Sequence, residues 1–182
     1  FPDANNVFPD ANNGFPDAQP PADAFSGPQP DGAVLGMACI EAQSQPNSDA
    51  CADAIDLTAD ATSGGALIYG DTSSYTNYLE PDSACTDGFG LDGPDAMYKV
   101  DATAGQTIAA TVTPSGNTFD VGMYILNDCA SATPCLAGTD DVAGTGPESL
   151  SYLVPTTGTY YIIVDSYVPS ANGCYGLQVG VQ

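Results

Sequence analysis

From Cys51 to Gln182 the chain is a succession of short runs rich in β-branched and aromatic residues, each closed by Gly, Asp, Asn or Pro. That punctuation leaves no room for long helices and restricts this region to an all-β fold. Strands are expected near 54–58, 66–71, 96–102, 106–113, 119–126, 149–154, 158–167 and 174–181. The last shows the clearest alternation, with Tyr175, Leu177, Val179 and Val181 on one face and Gly176, Gln178 and Gly180 on the other. In the same way Ile108, Ala110 and Val112 share a face, with Thr107, Ala109 and Thr111 opposite. The run from Gly158 to Asp165 is apolar on both faces, as a central sandwich strand requires, and Asn172-Gly173 supplies a turn before the final strand. About eight short strands with regular turn signals imply an antiparallel β-sandwich, jelly-roll or Ig-like, spanning residues 51–182. No segment of it reads as a helix. Residues 33–50 form a connector with a short helical or turn segment around 36–41.

Residues 1–32 obey different rules. They repeat as Phe1-Pro-Asp-Ala-Asn-Asn-Val, Phe8-Pro-Asp-Ala-Asn-Asn-Gly and Phe15-Pro-Asp-Ala-Gln-Pro-Pro, and they hold seven of the 15 prolines. A proline in every repeat and the Asn-Asn pairs oppose a helix, so the segment is expected to run extended or as polyproline II. At roughly 3.1 Å per residue, each seven-residue repeat advances about 22 Å. Such a segment cannot bury its own phenylalanines. Phe1, Phe8, Phe15 and Phe25 either stay wet or dock on another surface, and a copy of the same subunit is one such surface.

Charge narrows the functional classes. The chain has 23 Asp+Glu against one Lys+Arg and no His, a formal net charge of −22. Nucleic acid and anionic membrane surfaces are excluded as partners, since one lysine cannot displace phosphate counterions. Without histidine there is no Ser-His-Asp triad, no Cys-His pair and no imidazole metal ligand, so the chain is not expected to be an enzyme. A carboxylate pair for glycoside cleavage is not singled out. No apolar run approaches the roughly 20 residues that span a bilayer. Six cysteines imply a disulfide framework and an oxidising compartment, hence secretion to the cell surface or beyond. A cleaved export signal before Phe1 fits that expectation.

The motifs Asp120-Val-Gly-Met-Tyr-Ile-Leu-Asn-Asp-Cys129, Cys135-Leu-Ala-Gly-Thr-Asp-Asp141, Glu148-Ser-Leu-Ser-Tyr152 and Gly158-Thr-Tyr-Tyr-Ile-Ile-Val-Asp165 occur in that order. Together with Cys51-Ala-Asp-Ala-Ile and Asp95-Ala-Met-Tyr-Lys-Val, they resemble the bacterial pre-peptidase C-terminal (PPC) domain over roughly residues 48–182. The resemblance implies a jelly-roll-like or Ig-like sandwich acting as a non-catalytic appendage, with roles in secretion, attachment or spacing. The 1–32 repeats fall outside it. Cys51 and Cys85 stand where the family tends to carry a pair near its first strands. Cys129 and Cys135 bracket a step that a hairpin loop can close, which leaves Cys39 with Cys174.

Asp140, Asp141 and Glu148, with Asp120 on the adjoining strand, gather hard oxygen ligands that suit Ca²⁺, which takes about six to eight oxygens. Their spacing is not that of an EF-hand. Asp165, mid-strand, reads as hydrogen-bonded structure rather than a ligand. The principal functional expectation is a secreted structural subunit that builds an extracellular filament of identical subunits, its 1–32 repeats docking on neighbouring sandwiches. The alternative is a monomeric surface-tethered binding module, with the repeats as a stalk and a surface polysaccharide or protein as ligand. The tail carries five acids and residues 33–182 carry 18 acids and Lys99, so docking of tail on sandwich cannot be driven by charge.

Overall fold

The computed structural model describes residues 39–116, 119–141 and 144–182. The 1–32 repeats, with Phe1, Phe8, Phe15 and Phe25, and the first part of the 33–50 connector lie outside the described residues. Residues 39–42 are helical. Nine strands follow among the described residues: β1 Ile55–Asp56, β2 Ala66–Asp71, β3 Ala96–Ala102, β4 Thr107–Pro114, β5 Val121–Leu126, β6 Ala137–Thr139, β7 Glu148–Leu153, β8 Gly158–Ser166 and β9 Cys174–Val181. They form two sheets, one ordered β1-β3-β8-β5-β6 and the other β2-β9-β4-β7. All pairings are antiparallel except β1 with β3, where Ile55 lies opposite Tyr98 in parallel. The chain is an all-β sandwich.

Period-two alternation decides the core. Ile108, Ala110 and Val112 of β4 and Tyr175, Leu177, Val179 and Val181 of β9 all point between the sheets. They meet Ala96, Tyr98 and Val100 of β3 and Ile162 and Val164 of β8. At the centre, the hydroxyls of Tyr98 and Tyr175 lie 2.7 Å apart, so a hydrogen bond links the two sheets inside the core. Gly70 makes room for that pair, since a Cβ there would stand 2.3 Å from the Tyr175 ring.

The outer face of the five-stranded sheet is also covered. Met97, Tyr124, Leu126 and Ile163 project from it and pack against Leu79 and Leu91 of the long 72–95 segment between β2 and β3. This second layer explains why β8 is apolar on both faces: Ile162 and Val164 face the core, while Ile163 faces the covering segment.

Three local expectations change. The 54–58 strand shrinks to β1, because the Asp56 side chain accepts the Thr58 backbone N–H at 3.0 Å and turns the chain into a short helix, α1 Thr58–Thr62. The three residues of β6 lack a β-branched or aromatic run; pairing with Met123–Ile125 of β5 makes them a strand. The disulfides differ from two of the three expected pairs. Cys39 pairs with Cys174, but Cys51 pairs with Cys129 and Cys85 with Cys135, not Cys51 with Cys85 or Cys129 with Cys135. The reason lies in the covering layer. A 3-10 turn at Cys51–Asp53 and another at Ser83–Cys85 are each laid against the loop that joins β5 to β6, and that loop carries both Cys129 and Cys135. Each bridge therefore staples a covering segment to the loop instead of closing the loop on itself.

Candidate functional site

One end of the sandwich concentrates carboxylates. Asp120 immediately precedes β5, Asp140 and Asp141 follow β6, and Glu148 opens β7. The loop after β6 leaves one sheet and enters the other, so these residues sit where the sheets' outer strands meet. Asp87 is brought to the same place by the 72–95 segment, where it adopts a left-handed φ of 56°, a region Asp tolerates better than most residues. The structure thus gathers Asp120, Asp140, Asp141 and Glu148 and adds Asp87, which the sequence reading missed. No local signal marks Asp87, because it arrives through a long excursion.

Asp140 is the centre of this group. It is 5% exposed. Burial pushes its carboxyl up to about 6, and the charges of Asp120, Glu148, Asp141 and Asp87 push in the same direction. Asp87 is also raised, first by burial and then by the neighbouring Asp141. Hydrogen bonds fix two members: Thr139 Oγ1 donates to Glu148 Oε2 at 2.7 Å, and the Gly144 N–H donates to Asp120 Oδ1 at 3.0 Å. The chain's one basic side chain, Lys99, stands 4.0 Å from Asp56 instead. Among the described residues, no three acidic or thiol side chains are arranged around one point to hold a metal ion. A calcium ion would have to draw the carboxylates together.

Other surfaces are less distinctive. Phe89 and Tyr167, 46% and 42% exposed, meet edge to face with ring centroids 6.1 Å apart at the rim of the covered face. At the opposite end, a shallow depression of about 350 Å³ is lined by Asp101, Thr103, Thr157 and Thr159, and the Thr159 hydroxyl already donates to Asp101. Asp165 is not at the carboxylate-rich surface. It is wholly buried under the 72–95 segment, beside Asp95.

Residues 96–166 match the family model of the bacterial pre-peptidase C-terminal domain. No curated protein sequence matches the chain. Among solved structures, the chain is similar to the pre-peptidase C-terminal domain of collagenase from Bacillus anthracis, at 14% identity and a TM-score of 0.43, over 76% of this chain and 99% of that one. It is also similar to Aeromonas hydrophila PliG, a periplasmic inhibitor of g-type lysozyme, at 17% identity and a TM-score of 0.41, over 71% and 96% of the two chains. A third is CorA, a surface-associated copper-binding protein of Methylomicrobium album BG8, at 8% identity and a TM-score of 0.43, over 71% and 98%. At these identities nothing of the neighbours' ligands passes to this chain. The family match begins at the first residue of β3 and ends at the last of β8, within the two-sheet architecture described above. The sandwich of this chain is a PPC-like domain.

Proposed function

We propose that the chain is a secreted, non-catalytic binding module that takes a cationic ligand at the carboxylate-rich end of its PPC-like sandwich, with residues 1–32 as a stalk. Asp140 carries this reading. Its carboxyl is buried, four acids act on it, and the chain's one basic side chain is engaged elsewhere. Positive charge placed there relieves both the burial and the mutual repulsion. Calcium is the ligand we put forward, because hard carboxylate oxygens suit it and no imidazole is needed. Asp120, Asp140, Asp141 and Glu148 would supply the oxygens, and Asp87 would add charge. The lack of histidine in the sequence and the three disulfides support a non-catalytic protein of an oxidising compartment.

Titration calorimetry of chelator-treated protein with calcium tests the reading. Binding heat, a raised melting temperature, and loss of both in Asp140→Asn are expected. No heat and an unchanged melting temperature in the wild type would sink it. The seven-residue repeat favours a second reading, a filament of identical subunits joined through residues 1–32. Electron microscopy of the full chain and of a variant lacking residues 1–32 separates the two. A monodisperse full-length monomer at high concentration removes the filament.

A further inference from the structure

Among the described residues, three buried side-chain oxygens have no hydrogen-bond partner: Asp95 Oδ1, Asp165 Oδ2 and the Tyr124 hydroxyl. They are not scattered. Asp95 directly precedes β3, Tyr124 lies in β5 and Asp165 in β8, and the register Gly122↔Asp165, Tyr124↔Ile163 and Met97↔Ile163 places all three on the outer face of one sheet. All three residues are wholly buried, and the two carboxyls are close enough to act on each other and on the tyrosine.

Of the remaining oxygens, Asp165 Oδ1 accepts the Ser166 N–H of its own strand at 2.6 Å, and Asp95 Oδ2 holds the covering segment. Asp95 Oδ2 accepts the backbone N–H groups of Tyr78 and Leu79, both at 2.7 Å. The Asp95 N–H donates to the Thr76 carbonyl at 3.1 Å, and the Gly93 N–H donates to the Ser166 carbonyl at 3.0 Å. Leu79 and Leu91 then close the layer over Met97, Tyr124 and Ile163.

Two ionised carboxylates facing one another are acceptors only and cannot bond. A calcium ion would need about six to eight oxygens, and three are on offer. One proton suffices: Asp165 Oδ2–H donating to Asp95 Oδ1 satisfies both, and the tyrosine hydroxyl donates into the same pair. We propose that Asp95 and Asp165 hold a single proton between them and, with Tyr124, form a latch that fastens the 72–95 segment to the sheet and lets go as pH rises. On release the O–H bond breaks, the proton passes to a solvent base, and two buried carboxylates are left in contact.

The charges around the pair all work in the required direction. Burial raises both carboxyls, Asp95 to about 6 and Asp165 well above the usual range, and outweighs the lowering by the Tyr78 and Leu79 N–H groups on Asp95 and by the Ser166 and Gly93 N–H groups on Asp165. Asp49, from the segment before the first 3-10 turn, adds negative charge toward Asp95. Tyr124, itself raised by burial and by both acids, faces the pair from β5. No basic group opposes them, since Lys99 pairs with Asp56. Because the folded-state values are raised, the latch is strongest in acid. Its contribution is fully present below the unfolded carboxyl value and is lost as pH rises through the folded values.

Native-state hydrogen exchange of the Tyr78 and Leu79 amides, followed from about pH 5.5 to 8.5 and corrected for intrinsic exchange, reads the latch directly. An opening that releases one proton raises the opening constant about tenfold per pH unit. Asp165→Asn, which keeps a donor toward Asp95 but cannot ionise, is expected to flatten that dependence. Equal slopes in wild type and variant, or a flat wild type, would overturn the proposal. If the variant fails to fold, the wild type decides alone: an opening constant at Tyr78 and Leu79 that does not rise with pH overturns it. This test is independent of whether the carboxylate-rich end binds anything.

Discussion

The disulfide pattern offers the sharpest test of the fold, because the chain's only Lys or Arg divides it usefully. Lys99 lies after Cys39, Cys51 and Cys85 and before Cys129, Cys135 and Cys174, so all three bridges cross it. The perturbation is the double substitution Cys39→Ala/Cys174→Ala. The bridge it removes closes a sequence separation of 135, which by loop entropy corresponds to about 5 kcal/mol, or about 4 kcal/mol if the shorter circuit through Cys51–Cys129 is used. At roughly 2–4 °C per kcal/mol for a chain of this size, the melting temperature should fall by roughly 8–20 °C. The purified variant is then unfolded without reductant, cut by trypsin at Lys99 and weighed by mass spectrometry. The two halves are expected to remain joined through Cys51–Cys129 and Cys85–Cys135, and to part only on reduction. Halves that separate without reductant would mean that each half closes its own bridges, and the stapling of the covering layer described above would be refuted.

The tyrosine pair in the core makes a second prediction. Tyr98→Phe leaves the Tyr175 hydroxyl buried without its 2.7 Å partner and should cost about 1–3 kcal/mol in denaturant unfolding. Adding Tyr175→Phe should cost less than the sum of the two single changes, and strict additivity would mean the hydroxyls do not interact. Asp140 makes a third. Its raised folded value means its contribution to stability is fully present below the unfolded carboxyl value, near 3.8, and is lost as pH rises through about 6. Asp140→Asn should therefore gain stability relative to wild type at pH 7 without calcium and show no gain at pH 4, measured by thermal unfolding. A variant equally stable relative to wild type at both pH values would contradict the burial and crowding assigned to Asp140.

Much of the fold was legible because period-two alternation is a local signal. The face shared by Tyr175, Leu177, Val179 and Val181, and that of Ile108, Ala110 and Val112, follow from sequence order and are the faces that line the core. The Ala137–Thr139 strand was not legible, because its pairing with β5 makes it a strand and its residue types do not. The candidate site was legible in its contiguous part. Asp140, Asp141 and Glu148 lie within nine residues, whereas Asp87 joins them only after the covering segment has run from the end of β2 across the outer face of the five-stranded sheet to β6. Asp165 reads as hydrogen-bonded structure, and one of its oxygens accepts the Ser166 N–H; that Asp95 stands beside it is not legible from the strand.

By itself the sequence determined the fold class, the excess of acid over base and the separate character of residues 1–32, since each depends on residue type and local order alone. Which cysteines meet, which acids crowd Asp140 and which two carboxyls face each other beneath Leu79 and Leu91 were decided by the tertiary structure. The physical reason is common to all three. The 72–95 segment has no strong local preference of its own, and its course is set by burying Leu79 and Leu91 on the outer face of a sheet whose strands come from distant parts of the chain. Contacts fixed by such non-local burial leave no periodicity in the sequence from which to read them.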